Sequence, residues 1–243
     1  MSKLHFIGGE KGGVGKSLTA RVLAQFLIDH KSPFIGFDSD ESQSTFSRFY
    51  GEFASDVRVE DYESLDKLIE FADQRPDHDL IVDLAARTHK AIYQWIEDSD
   101  AIELLSGLGV HTYVWHVMDG GADSVALLDR ALSDYEGQAV KFIIVQNKGR
   151  GEDFSGFASS AVYHRALQRG ADFIVLPKLQ PAIIQQIDFK NLSFWASAQN
   201  NHGLSLVERQ RVKVWLDKIY MQFEPLIRPV RNDLISDISK ETL

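Results

Sequence analysis

The chain has 243 residues, a formal net charge of −9 and no cysteine, with 44% hydrophobic and 25% charged residues. Such a length and balance suit one sizeable globular domain over residues 1–243, with 229–243 as a C-terminal tail. They exclude thiolate-held metal clusters, argue against a protein that coats nucleic acid through bulk charge, and leave no apolar run of membrane-spanning length, so a cytoplasmic protein is expected.

The first element is a short apolar strand, Leu4 to Ile7, followed by the glycine-rich stretch Gly8 to Ser17 and a helical pattern from Leu18 to Ile28. Strand, glycine loop and helix ending in Gly15-Lys16-Ser17 form the pattern of a phosphate-binding loop. Glycines let backbone N–H groups turn inward around phosphate oxygens, and the following helix directs its positive end at the same anion. Gly12, Gly13, Val14, Gly15 and Leu18 would offer amides, Lys16 a charge at the β- and γ-phosphates, and Ser17 a hydroxyl to Mg²⁺. Lys11 is an additional cation beside the glycines.

Residues 33–37 read as a second buried strand, ending in Asp38-Ser39-Asp40. Carboxylates at the carboxyl end of a strand lie where open α/β sheets place their ligand chemistry. Phe46, Phe49, Tyr50 and Phe53 have the spacing of one apolar helical face over 45–53. Residues 56–63 are acidic and irregular, and Ser64 is placed to cap a helix running to Gln74. The strand 79–83 ends in a third carboxylate, Asp83, suited to holding a water on Mg²⁺.

A helix over 91–105, a strand over 113–117 and a helix over 124–132 follow. His111 and His116 fall on opposite faces of the strand and make no metal pair. The strand 140–145 is closed by Gln146-Asn147-Lys148, and the amide of Asn147 can both donate to and accept from a purine edge. Residues 152–169 contain a loop and a helix, 173–177 form the last strand, and 181–187 form a short helix. A longer helix over 204–223 carries Arg209, Arg211, Lys213 and Lys218. The tail from Pro229 is not basic enough for an amphipathic membrane anchor.

The heptad Lys11-Gly12-Gly13-Val14-Gly15-Lys16-Ser17 resembles the deviant Walker A motif of the ParA/MinD family of P-loop ATPases. The resemblance implies an α/β P-loop NTPase fold, a single domain with a mostly parallel twisted sheet and helices on both faces. It also implies ATP and Mg²⁺ as cofactors, a homodimer formed on ATP, and a protein partner that reads or stimulates the ATP state. Lys11 would reach across the dimer to the other copy's phosphates, Asp38 would support the Mg²⁺ shell with Ser17 and Asp83, and Asp40 would orient the attacking water. Asn147 would read adenine, with Pro177, Lys178 and Leu179 packing over the base, and nonspecific DNA would meet Arg209, Arg211, Lys213 and Lys218.

The family usually continues from the second aspartate with Pro-Gln-Gly, where this chain has Glu41-Ser42-Gln43. Its Asp83-Leu84-Ala85-Ala86-Arg87 is similar to plasmid transfer and stability ATPases of the TraL- and StbB-like branch. Two other functions share the loop: a metabolic ligase of the dethiobiotin-synthetase type, which has no need of Lys11, and a nucleotide-bound adaptor with negligible hydrolysis.

Overall fold

Apolar runs too short for helices, closed by glycine, proline or polar residues, are what a parallel sheet buried on both faces requires. The computed structural model describes residues 2–40, 45–199 and 203–228. Its strands are β1 (Lys3–Gly8), β2 (Phe34–Asp38), β3 (Ala54–Asp56), β4 (Asp79–Asp83), β5 (His111–Met118), β6 (Val140–Asn147) and β7 (Asp172–Leu176). They lie in the order β3-β2-β4-β1-β5-β6-β7, every pair parallel. The chain first builds outward from β1 on one side, returns to β4 beside it, and then crosses to β5 on the other side. This reversal opens a crevice at the carboxyl ends of β4, β1 and β5, where such sheets bind ligands.

The helices in chain order are α1 (Lys16–Asp29), α2 (Thr45–Tyr50), α3 (Tyr62–Gln74), α4 (His89–Ser99), α5 (Ala101–Gly107), α6 (Ala122–Asp134), α7 (Ser155–Ala158), α8 (Ala161–Gln168), α9 (Pro181–Phe189), α10 (Phe194–Ser197) and α11 (Leu206–Ile227). Successive strand residues supply opposite faces. Ile7, Ile81, Trp115 and Ile143 join side chains of α1, α2 and α9 to α11 in one core. Phe6, Leu80, Val114 and Ile144 join those of α3 to α8 in the other. The sheet centre also holds a buried polar pair, in which Trp115 Nε1 donates to His5 Nδ1 at 3.1 Å. Burial lowers the His5 pKa to about 3, which keeps this imidazole neutral.

Five local features depart from the sequence reading. The edge strand β3 leads into the stretch read as irregular from Asp56, and the helix expected over 45–53 ends at Tyr50 and tightens to a 3₁₀ turn. Asp61 rather than Ser64 caps α3, its carboxylate accepting from Glu63 N, while the Ser64 hydroxyl accepts from Arg58 N. The helix expected over 91–105 breaks at Asp100, whose φ of 47° is left-handed. The short helix α10 was not expected. The tail 229–243 and residues 41–43 lie outside the described residues. Among the described residues no helix is long and apolar enough to cross a membrane.

Gly36 of β2 allows α2 to approach the sheet: a Cβ there would stand 1.9 Å from Cε1 of the fully buried Phe46. Gly36→Ala is expected to destabilise the fold by about 1–3 kcal/mol through overpacking. A lower urea midpoint with an unchanged denaturant slope would register it.

Candidate phosphate-binding site

The loop between β1 and α1 turns at Gly15, where φ is 105° and a Cβ would come within 2.3 Å of Asn147 Nδ2. Only glycine meets both conditions. No side chain caps α1, so the first amides of this 14-residue helix are left for an anion in the crevice. Lys16 is buried, and its ammonium folds back to the Lys11 carbonyl oxygen at 3.2 Å. Burial lowers its pKa, while Asp83, Asp40 and Glu10 pull it upward.

Asp38 and Asp83 are register partners at the ends of β2 and β4, yet their surroundings differ. Asp38 Oδ2 accepts from the amides of Phe46 at 2.8 Å and Ser47 at 3.0 Å, and Oδ1 accepts from Asp40 N at 3.0 Å. It therefore caps the first turn of α2. Asp83 is 2% exposed, and neither of its oxygens has a hydrogen-bond partner. Burial pushes its pKa up to about 7, with Asp38 and Asp40 adding to the shift and the nearby Ser17 hydroxyl and Lys16 opposing it. Ser39 ties the two strand ends together, its hydroxyl donating to Asp83 O at 3.0 Å and accepting from Ala85 N at 2.8 Å.

An orphaned carboxylate in a dry site is costly and is relieved by a cation. Among the described residues no cluster of three or more His, Asp or Glu side chains could hold a metal by itself. That fits Mg²⁺, which keeps several waters and takes one or two carboxylates together with substrate phosphates. Ser17 and Asp83 suit that donor set, whereas both oxygens of Asp38 are engaged with amides.

The cleft over the loop has a volume of about 410 Å³ and is lined by Gly12, Gly13, Gly15, Lys16, Ser17, Leu18, Asp40 and Asp83. It continues over Arg21 of α1, Arg48 of α2, Arg150, and Ile184 and Asp188 of α9. Lys11 points away from it, to its own chain. Its Nζ pairs with Asp119 Oδ2 at 2.7 Å, while Asp119 Oδ1 accepts from Gly121 N at 3.0 Å and Ser124 Oγ at 2.7 Å.

Of the residues expected around a base, Asn147 lies against the loop, whereas Pro177, Lys178 and Leu179 do not line its cleft. Asn147 is 1% exposed, its Nδ2 donating to Val14 O at 2.7 Å and its Oδ1 accepting from Gly149 N at 2.9 Å, so it braces the loop. The Pro177 carbonyl accepts from Trp215 Nε1 at 2.6 Å, Lys178 pairs with Glu152 at 2.9 Å, and the apolar Leu179 is packed in the core. Pro177, Lys178 and Leu179 instead line a groove against α11 with Arg211 and Lys218. The basic residues of α11 also do not form one stripe. Arg211 and Lys218, seven apart, share a flank, while Arg209 and Lys213, four apart, lie on the other. Arg209 donates to Leu204 O.

Sequence reasoning missed Asp119 and Arg21. Asp119 ends β5 as Asp38 and Asp83 end their strands, so the same rule would have found it. Arg21 is a charged residue at a core-facing helical position, a signal that hydrophobic periodicity passes over.

No family model matches the chain. MobD of Acidithiobacillus ferrooxidans is 24% identical over 194 residues, covering 78% of this chain and 84% of MobD. A TraL protein of Escherichia coli is 23% identical over 242 residues, covering 92% of this chain and 98% of TraL. Among solved structures, an ATP complex of McdA from Cyanothece superposes with a TM-score of 0.52 at 15% identity, over 89% of this chain and 96% of that one. MinD with Mg-ADP from Pyrococcus horikoshii gives 0.52 at 13% identity over 93% and 97%. The MinC:MinD complex of Aquifex aeolicus gives 0.54 at 14% identity over 88% and 96%. The fold is that of ParA/MinD-type P-loop proteins, and the sequence is similar over most of its length to MobD and TraL.

Proposed function

We propose that this protein is a cytoplasmic ATP-driven switch that binds ATP with Mg²⁺, pairs face to face with a second copy, and hydrolyses ATP as a timer for holding a protein partner. Its use would be plasmid partition, conjugative transfer or the positioning of a cargo. The observation that carries this reading is the orphaned Asp83 carboxylate beside Ser17, at the mouth of an uncapped helix. McdA in complex with ATP, MinD with Mg-ADP and MinD with MinC share the fold and support it.

In this reading the amides of Gly12 to Leu18 and the Lys16 ammonium hold the phosphates and offset charge developing on them. Ser17 and Asp83 would hold Mg²⁺, which would help to neutralise the charge of the phosphates. Asp40, on the rim of the same cleft, would orient the attacking water. The base would lie toward Asn147 and the 177–179 segment, where Asn147 keeps one N–H and one lone pair per amide atom beyond its contacts with the loop. Lys11 would leave Asp119 and reach the other copy's phosphates.

Lys11→Ala is expected to keep ATP binding and lose ATP-dependent dimerisation, read by light scattering in ATP against ADP. A dimer that persists would sink the trans assignment. Asp119→Asn frees Lys11 of its cis partner and should raise the dimer fraction at a given ATP concentration. Asp40→Ala should leave ATP bound but abolish turnover; an unchanged phosphate-release rate would favour the adaptor reading.

Asp83 supplies a pH dependence. Its carboxyl ionises at 3.8 in the unfolded chain and at about 7 in the fold. Between those values the folded state binds more protons, so stability falls as pH rises through that window. Mg²⁺ takes the ionised form, so Mg²⁺-dependent nucleotide binding strengthens over the same rise. Asp83→Asn should flatten the stability profile of the free protein, raise stability above pH 7 and weaken Mg²⁺-dependent binding. Urea unfolding and nucleotide titrations on either side of neutrality test both arms.

A further inference from the structure

Arg21 stands four residues beyond Ser17 on α1 and is 3% exposed. A guanidinium in a core is rare unless it is fully paired, and this one is not. Its Nη1 bonds to Asp188 Oδ1 of α9 at 2.9 Å, while Nε and Nη2 have no hydrogen-bond partner. The rest of its environment is aromatic: Cζ lies 3.5 Å from the centroid of the Phe49 ring of α2 and 5.1 Å from that of Phe194 of α10.

Stability alone does not explain this arrangement. Asp188 is 43% exposed, so the ion pair gains little, and two buried N–H donors without partners cost free energy that an apolar side chain of the same length would avoid. What the guanidinium provides is a connection from α1 to α2 and α9 beside the cleft. Phe49 belongs to the same short helix as Phe46 and Ser47, whose amides hold Asp38 Oδ2, and Asp38 is the register partner of Asp83. Asp188 belongs to the helix that follows the 177–179 segment.

We infer that Arg21 is a positioning residue: clamped between Phe49 and Asp188, it fixes the first turn of α2 and thereby the orientation of Asp38 beside Asp83. The inference rests on the nucleotide reading above for its use, but not for its test. With α2 fixed, the Asp38 carboxylate stays on two amides, an immobile negative group next to the ion site. When α2 is loosened, that carboxylate loses its amides and is no longer held in a fixed position beside the ion site.

The first measurement uses the nucleotide-free protein. In Arg21→Met, hydrogen exchange at the amides of Phe46 and Ser47 should accelerate roughly tenfold, the scale of a desolvated cation–π contact, while amides of α11 keep their rates. Arg21→Lys keeps the charge but not the planar stack and should give part of the effect. Asp188→Asn acts from the exposed end and should give the same pattern should the buried variants fail to fold. The second measurement is the Mg²⁺ concentration that half-saturates tight binding of a fluorescent ATP analogue, expected to rise about tenfold in Arg21→Met and less in Arg21→Lys. Folded variants with unaltered exchange at Phe46 and Ser47, or with all amides accelerated alike, would overturn the inference. A wild-type chain that binds no Mg²⁺-nucleotide would overturn the proposed function instead and leave the exchange result standing.

Discussion

The end of β4 sets the chemistry of this molecule. Asp83 is a carboxylate in one of the driest parts of the fold, without a hydrogen bond to either oxygen, and burial holds its pKa near neutrality. Its register partner Asp38 is no compensation, since Asp38 has turned its own oxygens to α2 and adds repulsion. Lys16 is the cation that faces the pair, but its ammonium is drawn back onto the loop carbonyl of Lys11. The strand ends therefore keep two unmet demands side by side: helix amides and an ammonium that want an anion, and a carboxylate that wants a cation. A phosphate with its divalent ion answers both at once.

The same electrostatics explains why the two lysines of the loop cannot be equivalent. Lys16 is buried by α1 and the strand ends, so desolvation dominates its environment. Lys11 is on the rim, where it finds Asp119, a carboxylate already oriented by Gly121 N and Ser124 Oγ. A solvent-exposed pair of this kind is weak, so a multiply charged phosphate would compete with it. The contact therefore keeps Lys11 out of its own cleft without locking it there.

Much of this was legible in the sequence for one reason. Strands buried on both faces read as continuous apolar runs, so every strand but β3 stands out, two of them closed by the carboxylates Asp38 and Asp83. β3 does not, because Ala54-Ser55-Asp56 is an exposed edge of three residues with no apolar signal. The cap of α3 was ambiguous because Asp61 and Ser64 are both capping types, and only the fold decides which one meets the free amides. Asn147 was identified by type but not by partner: its bond to Val14 O spans 133 positions of chain, beyond any local pattern. The split of the α11 cations follows from helical periodicity and was open to the same arithmetic.

Arg21 marks where pattern reading has the least purchase. At its position in α1 the periodicity asks for an apolar residue, and the guanidinium satisfies that demand by laying its planar face on Phe49 and Phe194. Only its remaining atoms reveal the difference, one nitrogen bound to α9 and two unpaired. Arg21 of α1 touches Phe49 of α2 and Asp188 of α9, and all three helices border the cleft over the loop. A side chain that is apolar in its face and charged at its edge is the type that can be buried there and still hold a helix on each side.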